Sequence, residues 1–282
     1  MSAPANSVLL PALRDRVAAI GADGRARALE APGGAPVVPL GHAGADRMLG
    51  GGLRRGAVHE VRPAAAGDAA AATGFALACA ARFSRAGGLP RPWLWVRQDL
   101  AGRETGEPYG PGLAAFGLDP GALMIVAVAD ARDVLRAAEE GLRCRALGLV
   151  MVEPWGDPKA LDLTAARRLA LTAEASGVPA LMLRTGAHAG PPGAATRWSV
   201  AAAPSRPLPS LGRLSGLGRP AFAAALERLR QPGCIGEGGS WTMEWDPDEH
   251  LLRDPVAPAR ARPAASADGP AAPAEPAFRR AG

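Results

Sequence analysis

Residues 56–75 read GAVHEVRPAAAGDAAAATGF, and the architecture of the chain turns on how this stretch is parsed. Ala57 to Val61 has the composition of a short strand. A turn of small residues follows, and then a helix-compatible run over roughly 70 to 85. Strand, small-residue turn and helix is the order in which a phosphate-binding loop is built, where backbone N–H groups and a helix N-terminus face the anion. Such a loop also needs a lysine for the β- and γ-phosphates and a hydroxyl for magnesium. Here Asp68 stands where the lysine belongs and Ala69 where the hydroxyl belongs. Lys159 is the only lysine in the chain, so no shift of the alignment supplies the missing ammonium.

Outward from this stretch, strands and helices alternate. RPWLWVR (91–97) predicts a strand, and LMIVAV (123–128) is a continuous apolar run of the kind expected of a strand buried on both faces. Asp130 is placed to cap a helix over 131–145, with Val134, Ala138 and Leu142 on one stripe. LGLVMV (147–152) and VPALML (178–183) predict two more buried strands. Between them runs a helix capped by Asp162 or Thr164 that stops near Ser176-Gly177. Alternation of this kind implies crossover connections and a mostly parallel sheet.

After residue 184 the pattern changes. GAHAGPPGAAT (186–196) reads as a loop, TRWSVAA (196–202) as a half-exposed strand, FAAALERLR as a helix after a Pro/Gly/Leu linker, and SWTMEW (240–245) as a strand with Trp241, Met243 and Trp245 on one face. The expected organisation is an N-terminal helix and linker over 1–35, an α/β core over 36–203 and a helix/strand extension over 204–254. An Ala/Pro-rich tail over 255–282 has too few large hydrophobes to pack.

Composition narrows the function classes. The 282 residues are 48% hydrophobic, enough for a sizeable α/β core. Three scattered cysteines suit a reducing compartment and fit neither a disulfide framework nor a zinc site. No stretch approaches the ~18 apolar residues of a membrane span, and the N-terminus lacks a basic signal-peptide region, so a cytoplasmic location is expected. The net charge of +5 is carried almost entirely by arginine beside much Ala, Gly and Pro. This resembles GC-rich coding more than a nucleic-acid footprint.

The order of elements, and ADRMLGGGLRRGAVHEV (45–61) in particular, resembles the RecA-like ATPase core, in which a glycine-rich turn precedes the first core strand and its phosphate loop. More closely, GGGLRRGAVHEV, WLWVRQDLAGRETGEPYGPGLAAFGLDPGAL, LDLTAARRLAL, TRWSVAAAPSRPLP and GGSWTMEWDPDEHLLRDP resemble the ImuA family of RecA-like accessory proteins in bacterial SOS mutagenesis, over about residues 40 to 255. The resemblance implies an α/β RecA-like core with a degenerate phosphate loop, a C-terminal β extension and a disordered tail.

Laid on G-P-x-x-x-G-K-T, residues 62–69 keep Pro63 and Gly67 and put Arg62, Asp68 and Ala69 in place of the first glycine, the lysine and the hydroxyl. A carboxylate about 4 Å from a phosphate charge costs about 4 kcal/mol at an effective dielectric of 20. ATP and magnesium are therefore not expected as cofactors, and no catalytic residue or metal set is assigned. Asp99 and Glu153 fall where RecA-like cores keep the acids that activate water and hold magnesium. Where such cores keep DNA-contact loops, the chain offers Trp155 and Lys159, which suggests weak or partner-assisted DNA contact. Trp241, Trp245 and Arg253 are candidates for partner docking, the tryptophans serving equally well as core or edge anchors. His59, inside a strand, reads as a structural histidine, and DPDEH (246–250) as a solvated turn.

The expected function is a non-catalytic RecA-like adaptor in SOS-induced error-prone translesion synthesis. The resemblance implies an ImuB-like Y-family polymerase homologue, an error-prone C-family DNA polymerase and RecA as partners, with action at the bacterial nucleoid. A DNA-stimulated ATPase or recombinase and a SulA-type cell-division inhibitor are the alternatives.

Overall fold

A computed structural model describes residues 11–16, 37–86, 90–186, 193–205, 218–231, 234 and 238–255. The tail beyond residue 255, most of the linker over 203–220 and most of the loop over 186–196 lie outside the described residues, as does most of the segment before residue 37.

Nine strands form the main sheet: β3 (Val58–Pro63), β4 (Trp93–Gln98), β5 (Leu123–Val128), β6 (Val150–Glu153), β7 (Ala180–Leu183), β8 (Thr196–Ala202), β9 (Ala221–Leu229), β10 (Gly239–Asp246) and β11 (Leu251–Arg253). Their order is β11-β10-β9-β8-β3-β7-β6-β4-β5. From β8 to β5 every pairing is parallel, and from β8 to β11 every pairing is antiparallel. A separate small ladder joins β1 (Val37–Val38) to β2 (Leu53–Arg54). The α/β class and mostly parallel sheet predicted above are therefore those of the molecule.

Helices cover both faces of the parallel half, and the strand side chains alternate between two apolar cores. On one face α2 (Ala69–Arg85), which follows the short helix α1 (Ala43–Met48), packs Phe75 and Phe83 against Val61, Met151, Leu183 and Trp198. On the other, α5 (Ala131–Leu142) and α6 (Leu163–Ser176) pack Val134, Leu135, Leu142 and Leu169 against Val58, Val96, Val152 and Met182. Two short helices, α3 (Asp99–Thr105) and α4 (Gly110–Ala115), follow β4. Leu13, in the helical turn at 11–16, is buried in the second core, and Arg14 pairs with Glu140 at 2.8 Å.

The predicted caps are present. Asp130 accepts from the N–H groups of Arg132 and Asp133, and Asp162, not Thr164, caps α6 by accepting from Ala165. Gly177 ends α6 in the left-handed region at φ 76°. In the GGGLRRG turn Gly52 sits at φ +141°, where a Cβ would run into the Val38 carbonyl. Gln231 Nε2 donates to Leu49 O and Gly52 O from the far end of the chain, which locks that turn in place.

Three expectations are corrected. FAAALERLR is not a helix but most of β9, hydrogen-bonded between β8 and β10. Phe222, Ala224 and Leu226 enter the core every second residue, and two waiting strand edges outweigh the helix propensity of Ala, Leu, Glu and Arg. LMIVAV is not buried on both faces: β5 is the last strand of the sheet, Ile125 is 45% exposed and Ala127 is exposed. Lastly, no boundary in the sheet falls at 203/204. β9 to β11 continue the core sheet and place Met243, Trp245 and Leu252 in its interior.

Candidate functional site

The phosphate-loop position is formed where β3 hands over to α2 at the C-terminal rim of the parallel strands. Ala64 N donates to Val200 O at 2.8 Å, a 3-10 turn spans Ala66–Asp68, and α2 begins at Ala69. The side chain that decides its chemistry is Asp68. One carboxylate oxygen accepts from Ala65 N at 3.2 Å, and the other accepts from Ala202 N, at the end of β8, at 3.0 Å. The chain thus supplies its own anion to N–H groups of the turn and of the neighbouring strand. Arg62 does not reach over the turn; it runs across the sheet to Glu227 on β9 with a two-point contact. Pro63 ends β3 and is buried, while Gly67 is exposed and a Cβ there would touch nothing within 4 Å. No close approach of other protein atoms is built into Gly67.

The two acids expected beside this loop part company. Glu153, at the end of β6, is 1% exposed; its Oε2 accepts from Trp95 Nε1 at 2.9 Å and from Arg97 Nε at 2.7 Å. Burial raises its pKa, and the neighbouring guanidinium and indole oppose that rise. Arg97, itself 3% exposed, also holds Glu107 at 3.0 Å and the Gly106 carbonyl at 2.9 Å, and lies 5.0 Å over the Trp95 ring. Glu153 is thus the centre of a polar network joining β6 to β4, whereas Asp99 is exposed at the start of α3 in an open groove that Arg97, Arg103 and Ala127 also line. Among the described residues no three His, Cys, Asp or Glu side chains are grouped to hold a metal ion.

Arg97, Glu107 and Tyr109 were not singled out in the sequence, yet they organise this rim. The available signal was an arginine at the end of an apolar strand, WLWVR, in parallel register with Glu153. Together with Glu153 these residues line a cavity of about 200 Å³ whose apolar wall is Leu77, Trp95, Leu113 and Phe116, and Tyr109 is exposed beside it.

The loop after β6 is tied down rather than free. Trp155 is half-buried against Gly186, and its backbone N–H donates to Gln98 Oε1 at 3.1 Å. Arg184, at the end of β7, donates to Gly156 O at 3.1 Å and to Asp157 at 2.6 Å. Glu60 anchors this group from below, 2.8 Å from Arg197 and 3.7 Å from Arg184. Lys159 is exposed on the same loop. Residues 187–192 of the second candidate DNA loop lie outside the described residues.

The candidate docking residues are drawn inward. Trp245 is 1% exposed, donates Nε1–H to Ala115 O at 3.3 Å and packs on Phe116. It is a core anchor and cannot meet a partner. Trp241 is half-buried against Trp198 and His42, and Arg253 pairs with Asp246 at 2.6 Å. Asp246, the first residue of DPDEH, is itself buried and accepts from the N–H groups of Asp248 and Glu249. The turn is therefore anchored through its aspartate. His59 is fully buried between Thr196 Oγ1 and Arg54 O, both at 2.8 Å, and burial lowers its pKa to about 4. It is a neutral structural histidine.

No helix among the described residues is long and apolar enough to cross a membrane. No family model matches the sequence. Among solved structures the chain is similar to the RadB recombinase, with a TM-score of 0.47 and 14% identity over 77% of this chain and 99% of that one. Among curated proteins it is 30% identical over 222 residues to Protein ImuA of Caulobacter vibrioides strain NA1000 / CB15N, covering 74% of this chain and 83% of that protein. Protein ImuA of strain ATCC 19089 / CIP 103742 / CB 15 matches with the same figures. With identity at that level over most of both chains, the protein belongs to the ImuA family.

Proposed function

We propose that this protein is a non-catalytic adaptor in SOS-induced error-prone translesion DNA synthesis, acting by positioning partners at the bacterial nucleoid. The observation that carries the proposal is the carboxylate of Asp68 on the N–H groups of Ala65 and Ala202. An anion already occupies the position where a nucleotide phosphate would need a lysine. The Glu153–Arg97–Trp95 network adds a second argument, since the acid left at the metal position holds β4 to β6 through its Oε2. With both groups used internally, neither ATP nor magnesium is a cofactor in this reading. The partners are those of the family expectation: an ImuB-like Y-family polymerase homologue, an error-prone C-family polymerase and RecA. The contact with DNA through Trp155 and Lys159 is weak and partner-assisted.

Calorimetry of the full chain with Mg·ATP, and a pull-down of a purified ImuB-like polymerase homologue, test the reading together. The expected results are no saturable ATP binding and specific capture of the homologue. Micromolar ATP binding that is lost in Asp99→Ala would replace the adaptor with an ATPase. Binding to a tubulin-like division protein without capture of the polymerase homologue would favour a division inhibitor.

A further inference from the structure

The cavity between α2, β4 and the turn joining α3 to α4 holds a buried acceptor that the fold leaves unused. Glu153 is 1% exposed and forms part of its wall. Oε2 of Glu153 takes both bonds, from Trp95 and from Arg97, while Oε1 accepts from no group among the described residues. A carboxylate accepts through both oxygens, so the lone pairs of Oε1 are left for what enters the cavity. Arg97, by contrast, is committed. Its Nε goes to Glu153, one terminal nitrogen to Glu107 and the other to Thr105 Oγ1 and Gly106 O. Thr73 gives its proton to Ala69 O and keeps its oxygen as an acceptor. The lining therefore offers acceptors and few donors, and two carboxylates against one guanidinium leave it acidic. An anionic ligand would be repelled there and a cation drawn in.

Size and shape narrow the class. The volume of about 200 Å³ lies below the roughly 300–1,000 Å³ of clefts that take drug-sized ligands, and suits a single side chain. An apolar wall of Leu77, Trp95, Leu113 and Phe116 beside one free carboxylate oxygen matches an aliphatic stem ending in an ammonium group. A guanidinium is planar and forks onto two carboxylate oxygens, of which Glu153 has only one to give. The surroundings favour a side chain carried on a polypeptide. Tyr109 and Glu107 are exposed beside the cavity. An adjoining open groove of 250 Å³ shares Arg97 and Glu107 with it and continues to Asp99 and Arg103, where flanking residues would lie. The chain's own single lysine, Lys159, is not part of the cavity wall.

We propose that this cavity recognises a lysine side chain of a partner protein, with the stem against Trp95, Leu113 and Phe116 and the ammonium group donating to Glu153 Oε1. The proposal rests on the adaptor reading only for the partner that carries the lysine; the binding itself is read on the isolated chain.

The Trp95 indole N–H, which is bonded to Glu153 Oε2, is the reporter in heteronuclear NMR of the labelled full chain, assigned by its loss in Trp95→Phe. The probes are an end-blocked Ala-Ala-Lys-Ala-Ala peptide, the same peptide with its lysine Nε-acetylated or replaced by arginine, and n-butylamine. The lysine peptide should shift the signal saturably, and the acetylated peptide should not. Thr73→Met fills the cavity from α2 and leaves the Glu153 bonds in place, and Glu153→Gln removes the charge. Each should weaken binding about tenfold or more, the scale of a lost hydrogen bond to a charged group, with circular dichroism showing the variant folded. No saturable shift with the lysine peptide, an equal response to the acetylated or arginine peptide, or binding indifferent to Thr73→Met would each overturn the proposal. Binding of n-butylamine as tight as that of the peptide would overturn the polypeptide as occupant in favour of a small amine. Lysine binding without capture of the polymerase homologue would uphold the site and count against the adaptor reading.

Discussion

At the scale of single residues, replacing a lysine by Asp68 does more than remove a positive charge. Lysine in a phosphate loop is a donor that waits for an anion, whereas Asp68 is the anion, and its two oxygens satisfy Ala65 and Ala202. Two N–H groups at this rim are therefore met by the chain's own carboxylate. Asp68→Ala should cost about 1–2 kcal/mol in urea unfolding, the scale of charge-assisted bonds at a half-buried site. Asp68→Lys should cost at least as much and create no ATP binding by calorimetry, because the hydroxyl is still missing at Ala69 and Arg62 is drawn away to Glu227. The loss of the lysine was legible in the sequence. The partners of the aspartate were not, because Ala202 lies 134 residues away.

At the scale of elements, the two misread segments fail for one reason. FAAALERLR and LMIVAV have local patterns compatible with two environments, and position in the sheet chooses between them: β9 lies between two strands, β5 beside one. The caps at Asp130 and Asp162 and the stop at Gly177 were legible because each is closed by neighbours within four residues. The Glu153 network belongs to this scale as well, since it joins β6, β4 and the turn between α3 and α4. Glu153→Ala leaves the Arg97 guanidinium buried without its main partner and should lower stability by about 3 kcal/mol in denaturant unfolding. An acid held only for a metal or nucleotide would give no such loss in the unliganded chain.

At the scale of the whole molecule, the C-terminal strands are part of the core and not an appendage. Met243, Trp245 and Leu252 share a core with Phe75 and Trp198, and β10 is the strand that pairs the far side of β9. A chain ending at Gly238 should lose cooperative unfolding and near-UV circular dichroism, whereas one ending at Pro255 should keep both. Loss of polymerase binding in the shorter chain would then report unfolding, so partner mapping calls for point substitutions on the surface.

What the sequence by itself determined is the alternation of strand and helix, the helix caps and the absence of a catalytic lysine, because period, capping and residue type are local properties. Only the tertiary structure decided that Asp68 answers its own loop, that Glu153 is bound by Arg97, that Trp245 is interior and that β5 is the last strand in the order of the sheet. Each of those depends on which distant strand or side chain arrives alongside, and neither spacing nor propensity carries that information.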